Sequence, residues 1–154
     1  MKALVAYFSC SGVTEKVATT IAEKIDGDLY RIKPAIPYTS ADLNWNDKNS
    51  RSSIEMKDKS SRPVIADQVE NMEEYEVIFV GFPIWWYVAP TIINTFLESY
   101  DFSGKTIIPF ATSGGSGAGQ TNQYLYDSCP NAHLYPTTVL NRKDIGQWIN
   151  SLDL

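Results

Sequence analysis

The feature that most constrains this chain is an alternation between two hydrophobic periods. Short runs of strand formers, at residues 2–8, 76–82 and 105–112, are separated by stretches whose apolar residues recur every three or four positions. The runs are apolar on both faces, as in a sheet covered on both sides. After the first run, Val13, Val17, Ala18, Ile21 and Ile25 fall on one helical face, and Gly27 offers a left-handed stop. Residues 28–33 form a weaker strand. The polar stretch 34–62 is long for a structureless loop and is expected to be functional or to hold a short helix. Pro63 then opens an expected helix with Ile65, Val69 and Met72 on its inner face. Ile92, Ile93, Phe96, Leu97 and Tyr100 mark another helix after the strand at 76–82. The strand at 105–112 carries an unexplained proline, Pro109. A helix over 120–127, an edge strand over 132–140 and a helix over 143–152 complete the chain. Repeated βα units of this kind make a three-layer α/β sandwich with a five-stranded parallel sheet, in one domain over residues 1–154.

Charge and cysteine usage narrow the function. The 154 residues carry a formal net charge of −5, which argues against nucleic acid or an anionic membrane as partner. Arg51, Lys57, Lys59 and Arg62 do gather, but Glu55 and Asp58 interrupt them, as in a solvated loop. The first apolar run is too short for a signal peptide or a membrane span, so a cytoplasmic location is expected. Cys10 and Cys129 lie far apart without CxxC spacing, and a single histidine, His133, leaves no inventory for a His-rich metal centre.

Ligands of an open α/β sheet bind beyond the carboxyl ends of its strands, where the strand order reverses. Three segments fall there. Ser9, Cys10, Ser11, Gly12, Val13 and Thr14 join the first strand to the first helix. Hydroxyls, a glycine and free N–H groups at a helix start make an anion cradle, and the absence of Lys or Arg suits a monoester phosphate held by neutral dipoles. Simple capping by Ser11 or Thr14 is the alternative. A low-molecular-weight phosphatase would need an arginine where Lys16 stands. Neither GxxxxGK[ST] nor GxGxxG occurs. Cys10 is accordingly expected to be a buried or half-buried thiol of low reactivity.

The second segment, 81–90, contains Pro83, Ile84, Trp85, Trp86 and Tyr87, too many adjacent large side chains for all to enter one core. Either it lines a cleft for a planar ligand or its indoles cover the next helix. The third segment, 112–119, places Thr112, Ser113, Gly114, Gly115, Ser116 and Gly117 after the 105–112 strand, where glycines permit close backbone approach. It misses the GxSxG hydrolase elbow because residue 118 is Ala, and a receiver domain fails for want of an aspartate ending the strand at 76–82.

Taken together and in order, the three loops resemble the flavodoxin family, in particular members carrying Pro-Ile-Trp-Trp and Ala-Thr-Ser-Gly-Gly-Ser-Gly, here at 83–86 and 111–117. The resemblance spans nearly the whole chain. Tyr87 departs from it, standing where these members have a small residue, and the region after Ala132 is shortened. It implies the strand order 2-1-3-4-5 and a non-covalent FMN. Ser9, Ser11, Gly12, Val13 and Thr14 would hold its phosphate. Pro83, Ile84, Trp85 and Trp86 would flank the ribityl chain and ring, and Thr112, Ser113, Gly114 and Gly115 would approach the pyrimidine edge. No residue stands out as a separate acid–base catalyst. The implied function is electron transfer or reduction by the flavin, with a redox partner protein or a small acceptor such as a quinone and NAD(P)H as a candidate donor. A flavin-dependent sensor or interaction module is the alternative.

Overall fold

The computed structural model describes residues 2–154. Strands β1 (Ala3–Tyr7), β2 (Asp28–Arg31), β3 (Val77–Pro83) and β4 (Thr106–Thr112) pair in parallel in the order β2-β1-β3-β4. The fifth position is shared by two short pieces, β5 (His133–Leu134) and β6 (Thr138–Val139), both parallel to β4. The order reverses at β1, so the β1/β3 boundary is the switch point. Register sets Ala6 beside Val80 and Val80 beside Pro109, which aligns the carboxyl ends of all three central strands.

Alternate strand residues feed two cores, as the period of two requires. Val5, Tyr7, Phe79, Ile108 and Phe110 pack on α1 (Val13–Ile25) and on Trp148 of α5 (Ile145–Ser151). Leu4, Ala6, Phe8, Ile78, Val80, Phe82 and Ile107 pack on Ile92, Ile93, Phe96 and Leu97 of α3 (Thr91–Glu98), with Leu125 of α4 (Thr121–Leu125) beside them. The helix α2 (Arg51–Lys57) lies within the long polar segment. Its N-cap is Ser50, which accepts from Ser53 N–H.

Several expectations need correction. No α-helix follows Pro63: among the described residues, 63–76 has only a 3₁₀ turn at Met72–Glu74. The chain runs extended instead, with Ala35 N–H donating to Val64 O and Ala66 N–H to Lys33 O, both at 2.7 Å. Pro63, Val64 and Ile65 are poor helix formers, and pairing with the 33–35 segment satisfies their backbone just beyond β2. The left-handed residue ending α1 is Asp26 (φ 54°) rather than Gly27, whose N–H then bonds Ala22 O. Short polar side chains tolerate that conformation. Val13 is exposed and lies outside the buried face of α1.

Pro109 acquires a reason. Lys105, Ile107 and Ala111 turn their carbonyls outward to accept from His133, Tyr135 and Leu140. Pro109 has the same parity, so its missing N–H faces the break between β5 and β6, where Pro136 interrupts the edge. No described helix is long and apolar enough to cross a membrane.

Candidate functional site

The β1–α1 loop begins where Phe8 N–H donates to Gly81 O, carrying the strand pairing one residue past Tyr7. Ser9 is buried, while Cys10, Ser11, Gly12 and Val13 are exposed. Gly12 turns the chain with φ 89°, a left-handed value that a β-carbon disfavours, and it occupies the N-cap of α1 without supplying a side chain. The first-turn N–H groups of a helix of thirteen residues therefore have no side-chain acceptor, and they carry the positive end of its dipole. The Gly12 N–H itself is engaged, donating to Ser9 Oγ at 3.1 Å, which curls the loop around this point.

Thr14 lies beneath the loop, 2 % exposed, with its hydroxyl 2.7 Å from that of Thr112, itself 4 % exposed, at the end of β4. Two hydroxyls in contact use one of their two protons between them. The second O–H remains free to donate to an anion seated above the pair. This contact joins the first and third loops across 98 residues of sequence.

The second loop is fixed from both sides. Ile84 N–H donates to Thr112 O at 2.8 Å, and Trp85 and Val88 exchange backbone bonds across a tight turn. Its two central residues, Trp86 (φ 49°) and Tyr87 (φ 67°), are both left-handed, a geometry that favours Asn-Gly. A bulky residue there is strained, and both aromatic side chains stand out in solvent at the turn's crest. Trp85 points the other way: it is half-buried and meets Phe8 and Tyr38 edge-on, each with ring centroids 5.7 Å away. The two indoles thus differ in kind, Trp85 forming a wall and Trp86 an exposed rim.

The third loop is organised by Ser113, whose Oγ accepts from Ser116 N–H at 2.8 Å and from Gly115 N–H at 3.2 Å. Asn141 grips it in both directions, accepting from Ser113 N–H at 3.0 Å and donating to Ser113 O at 2.9 Å. Gln120 N–H donates to Tyr87 O, where Gly119 leaves no room for a β-carbon, so the third loop rests on the second. Gly114 and Gly115 remain exposed at its crest.

Sequence reasoning singled out neither Asn141 nor the cluster that anchors the long polar segment. Tyr38 donates to Glu55 at 2.5 Å, Arg51 Nε to the same carboxylate at 3.0 Å, and the Arg51 guanidinium lies 3.8 Å from the Tyr38 ring centre. Burial, followed by the Glu55 carboxylate, pushes the Tyr38 phenol well above its ordinary range. Arg51 is therefore a half-buried anchor rather than part of a solvated patch, and Arg62 is paired with Glu98. The only sequence signals were an i,i+4 Arg–Glu spacing and a tyrosine in a polar run.

Cys10 is also corrected: it is exposed at the loop, not buried. Protein still crowds it enough that desolvation, only partly opposed by Arg31 and Arg51, pushes its thiol up to about 11. It is a neutral thiol near pH 7, by desolvation.

The arrangement fits a ligand with one compact anion and a planar ring. An uncapped helix start and a spare buried O–H suit the anion, and no Lys or Arg of the three loops competes for it. A parallel sheet with such loops at its switch point defines a doubly wound protein of the mononucleotide-binding type. The chain belongs to the flavodoxin family, whose profile matches residues 2–152. It is similar to a protein of Bacteroides eggerthii DSM 20697, provisionally described as a flavoprotein, with 48% identity, TM-score 0.94 and coverage of 99% of this chain and 98% of that one. A protein of Bacteroides uniformis ATCC 8492, described in the same way, is 49% identical with TM-score 0.92 over 97% of each chain. The flavoprotein of Lactobacillus acidophilus NCFM solved with FMN has the same fold at 20% identity, with TM-score 0.77 over 99% of each chain. No curated protein matches.

Proposed function

We propose that this protein binds FMN without covalent attachment and acts as a small cytoplasmic oxidoreductase, passing electrons to a low-molecular-weight acceptor such as a quinone. The carrying observation is the meeting, at one switch point, of the uncapped α1 N-terminus, the buried Thr14–Thr112 hydroxyl pair and the indole loop. The kinship with proteins described as flavoproteins, one solved with FMN, supports the choice of ligand. When bound, FMN supplies reversible one- and two-electron chemistry, and the chain's task is to position and tune it.

In this reading Ser9, Ser11, Gly12, Val13 and Thr14 hold the phosphate with neutral donors and the helix field. Pro83, Ile84, Trp85 and Trp86 flank the ribityl chain and ring, and Thr112, Ser113, Gly114 and Gly115 meet the pyrimidine edge. Trp85, locked by Phe8 and Tyr38, excludes water from one flank. The segment 36–57, pinned by Tyr38, Arg51 and Glu55, borders the indole loop as a substrate lid would. Two free thiols suit a reducing compartment.

The test is the absorption spectrum of the purified protein and the mass of its released chromophore. FMN in equimolar amount is expected; FAD, or failure to take up FMN on refolding, overturns the reading. Steady oxidation of NADH or NADPH in the presence of a quinone marks the reductase. A one-electron carrier for a protein partner would instead show a stable half-reduced form and no such turnover.

A further inference from the structure

The indole loop has a second flank. Ile84, Trp85 and Trp86 also border a cleft of about 230 Å³ closed by Leu43, Trp45 and Ser52 of the polar segment. No residue of the first or third loop lines it. Ser52 stands in the first turn of α2 and is 2 % exposed, yet its Oγ is the only buried side-chain polar atom among the described residues without a hydrogen-bond partner. Its neighbours are satisfied: Ser50 Oγ donates to Ser53 Oγ, and Ser53 Oγ donates to Asp47 O. A serine early in a helix ordinarily finds a nearby backbone acceptor, and a buried hydroxyl left without one calls for an explanation.

We infer that this cleft is the binding site of a neutral, single-ring aromatic carbonyl compound of the benzoquinone class, with Ser52 Oγ donating to a carbonyl oxygen. This rests on the oxidoreductase reading above and names the acceptor's site and class. Four features fix the chemistry. Three indoles, Trp45, Trp85 and Trp86, line the cleft, a composition that suits a planar aromatic ring. No charged side chain lines the cleft, so it offers nothing to the phosphates of a nicotinamide nucleotide. The volume lies below the roughly 300–1,000 Å³ of pockets for drug-sized ligands, which suits one ring. The single unsatisfied hydroxyl matches one ligand oxygen, and the oxidised member of a quinone couple presents that oxygen as an acceptor.

The test is equilibrium dialysis of the oxidised, FMN-loaded protein against duroquinone, whose fully substituted ring cannot add the exposed Cys10 thiol. One equivalent should bind. Ser52→Ala should weaken it by about two- to tenfold, the worth of one neutral hydrogen bond. Trp45→Ala, at an exposed position, should weaken it while leaving the fold intact. FMN content and the flavin spectrum should be the same in all three proteins. Absence of duroquinone binding, or equal binding by wild type and Ser52→Ala, overturns the inference. So does loss of FMN from Ser52→Ala, which would assign the hydroxyl to the cofactor. If the wild type holds no FMN at all, the flavin reading fails by that fact, and the same dialysis on the flavin-free chain still decides the cleft.

Discussion

Replacing Thr14 by Val removes one of two buried hydroxyls 2.7 Å apart and leaves Thr112 Oγ1 without that partner. A buried hydroxyl stripped of its partner costs about 1–3 kcal/mol, whereas replacing both partners by apolar groups of the same shape is nearly neutral. For a chain of this length, unfolding entropy makes 1 kcal/mol worth about 3 °C, so the ligand-free Thr14→Val protein should melt about 3–9 °C lower. Thr14→Val/Thr112→Val should recover most of that loss. Binding separates a phosphate contact from mere packing. A hydrogen bond to a charged group contributes about 1.5–3 kcal/mol, so Thr14→Val should weaken FMN by about ten- to a hundredfold. Riboflavin, which lacks the phosphate, should lose little. The assay is quenching of flavin fluorescence by each ligand-free variant, alongside thermal melts. Equal losses for FMN and riboflavin in a folded variant would refute the phosphate role. A double variant as unstable as the two single changes added together would refute the hydroxyl-pair argument.

Tyr87→Gly relieves a left-handed bulky residue and should raise stability to denaturant by about 1 kcal/mol; a loss would show that the Tyr87 contacts outweigh its strain. Gly81→Ala should destabilise by about 1–3 kcal/mol or more, because its β-carbon would fall 2.2 Å from the Phe110 ring; an unchanged melting temperature would contradict the packing. Alkylation of Cys10 should follow its thiolate, remaining slow at neutral pH and rising towards about pH 11, with the unfolded chain reacting near pH 9; a folded profile matching the unfolded one would refute the desolvation argument. Trp86→Ala should keep the fold, since the indole is 43 % exposed, and by admitting water to the ring should raise the second reduction potential of bound FMN in a redox titration; no change in potential or affinity would leave Trp86 outside the flavin site.

The sequence by itself determined the sheet, because its information is local. The runs at 2–8, 76–82 and 105–112 are apolar on both faces and alternate with helical stripes such as Val17 to Ile25, the pattern of βα units around a covered parallel sheet. The three loops were legible for the same reason: each is a contiguous run of unusual residue types at a strand end. What the sequence could not state was which distant groups would meet. Thr14 finds Thr112, Ser113 finds Asn141, and Tyr38 finds Trp85, each across tens of residues. Periodicity misled at 63–74, where Ile65, Val69 and Met72 fit a helical face, yet backbone bonds to the 33–35 segment offered an extended alternative. It was silent on Pro109, whose tolerance depends on a gap in the neighbouring edge. Only the tertiary structure separated Trp85 from Trp86, since Trp85 packs against Phe8 and Tyr38 from distant parts of the chain while Trp86 sits at the left-handed crest of the turn, in solvent. It alone left Ser52 without a partner, because satisfaction of a buried hydroxyl is a property of the whole packed neighbourhood rather than of any stretch of chain.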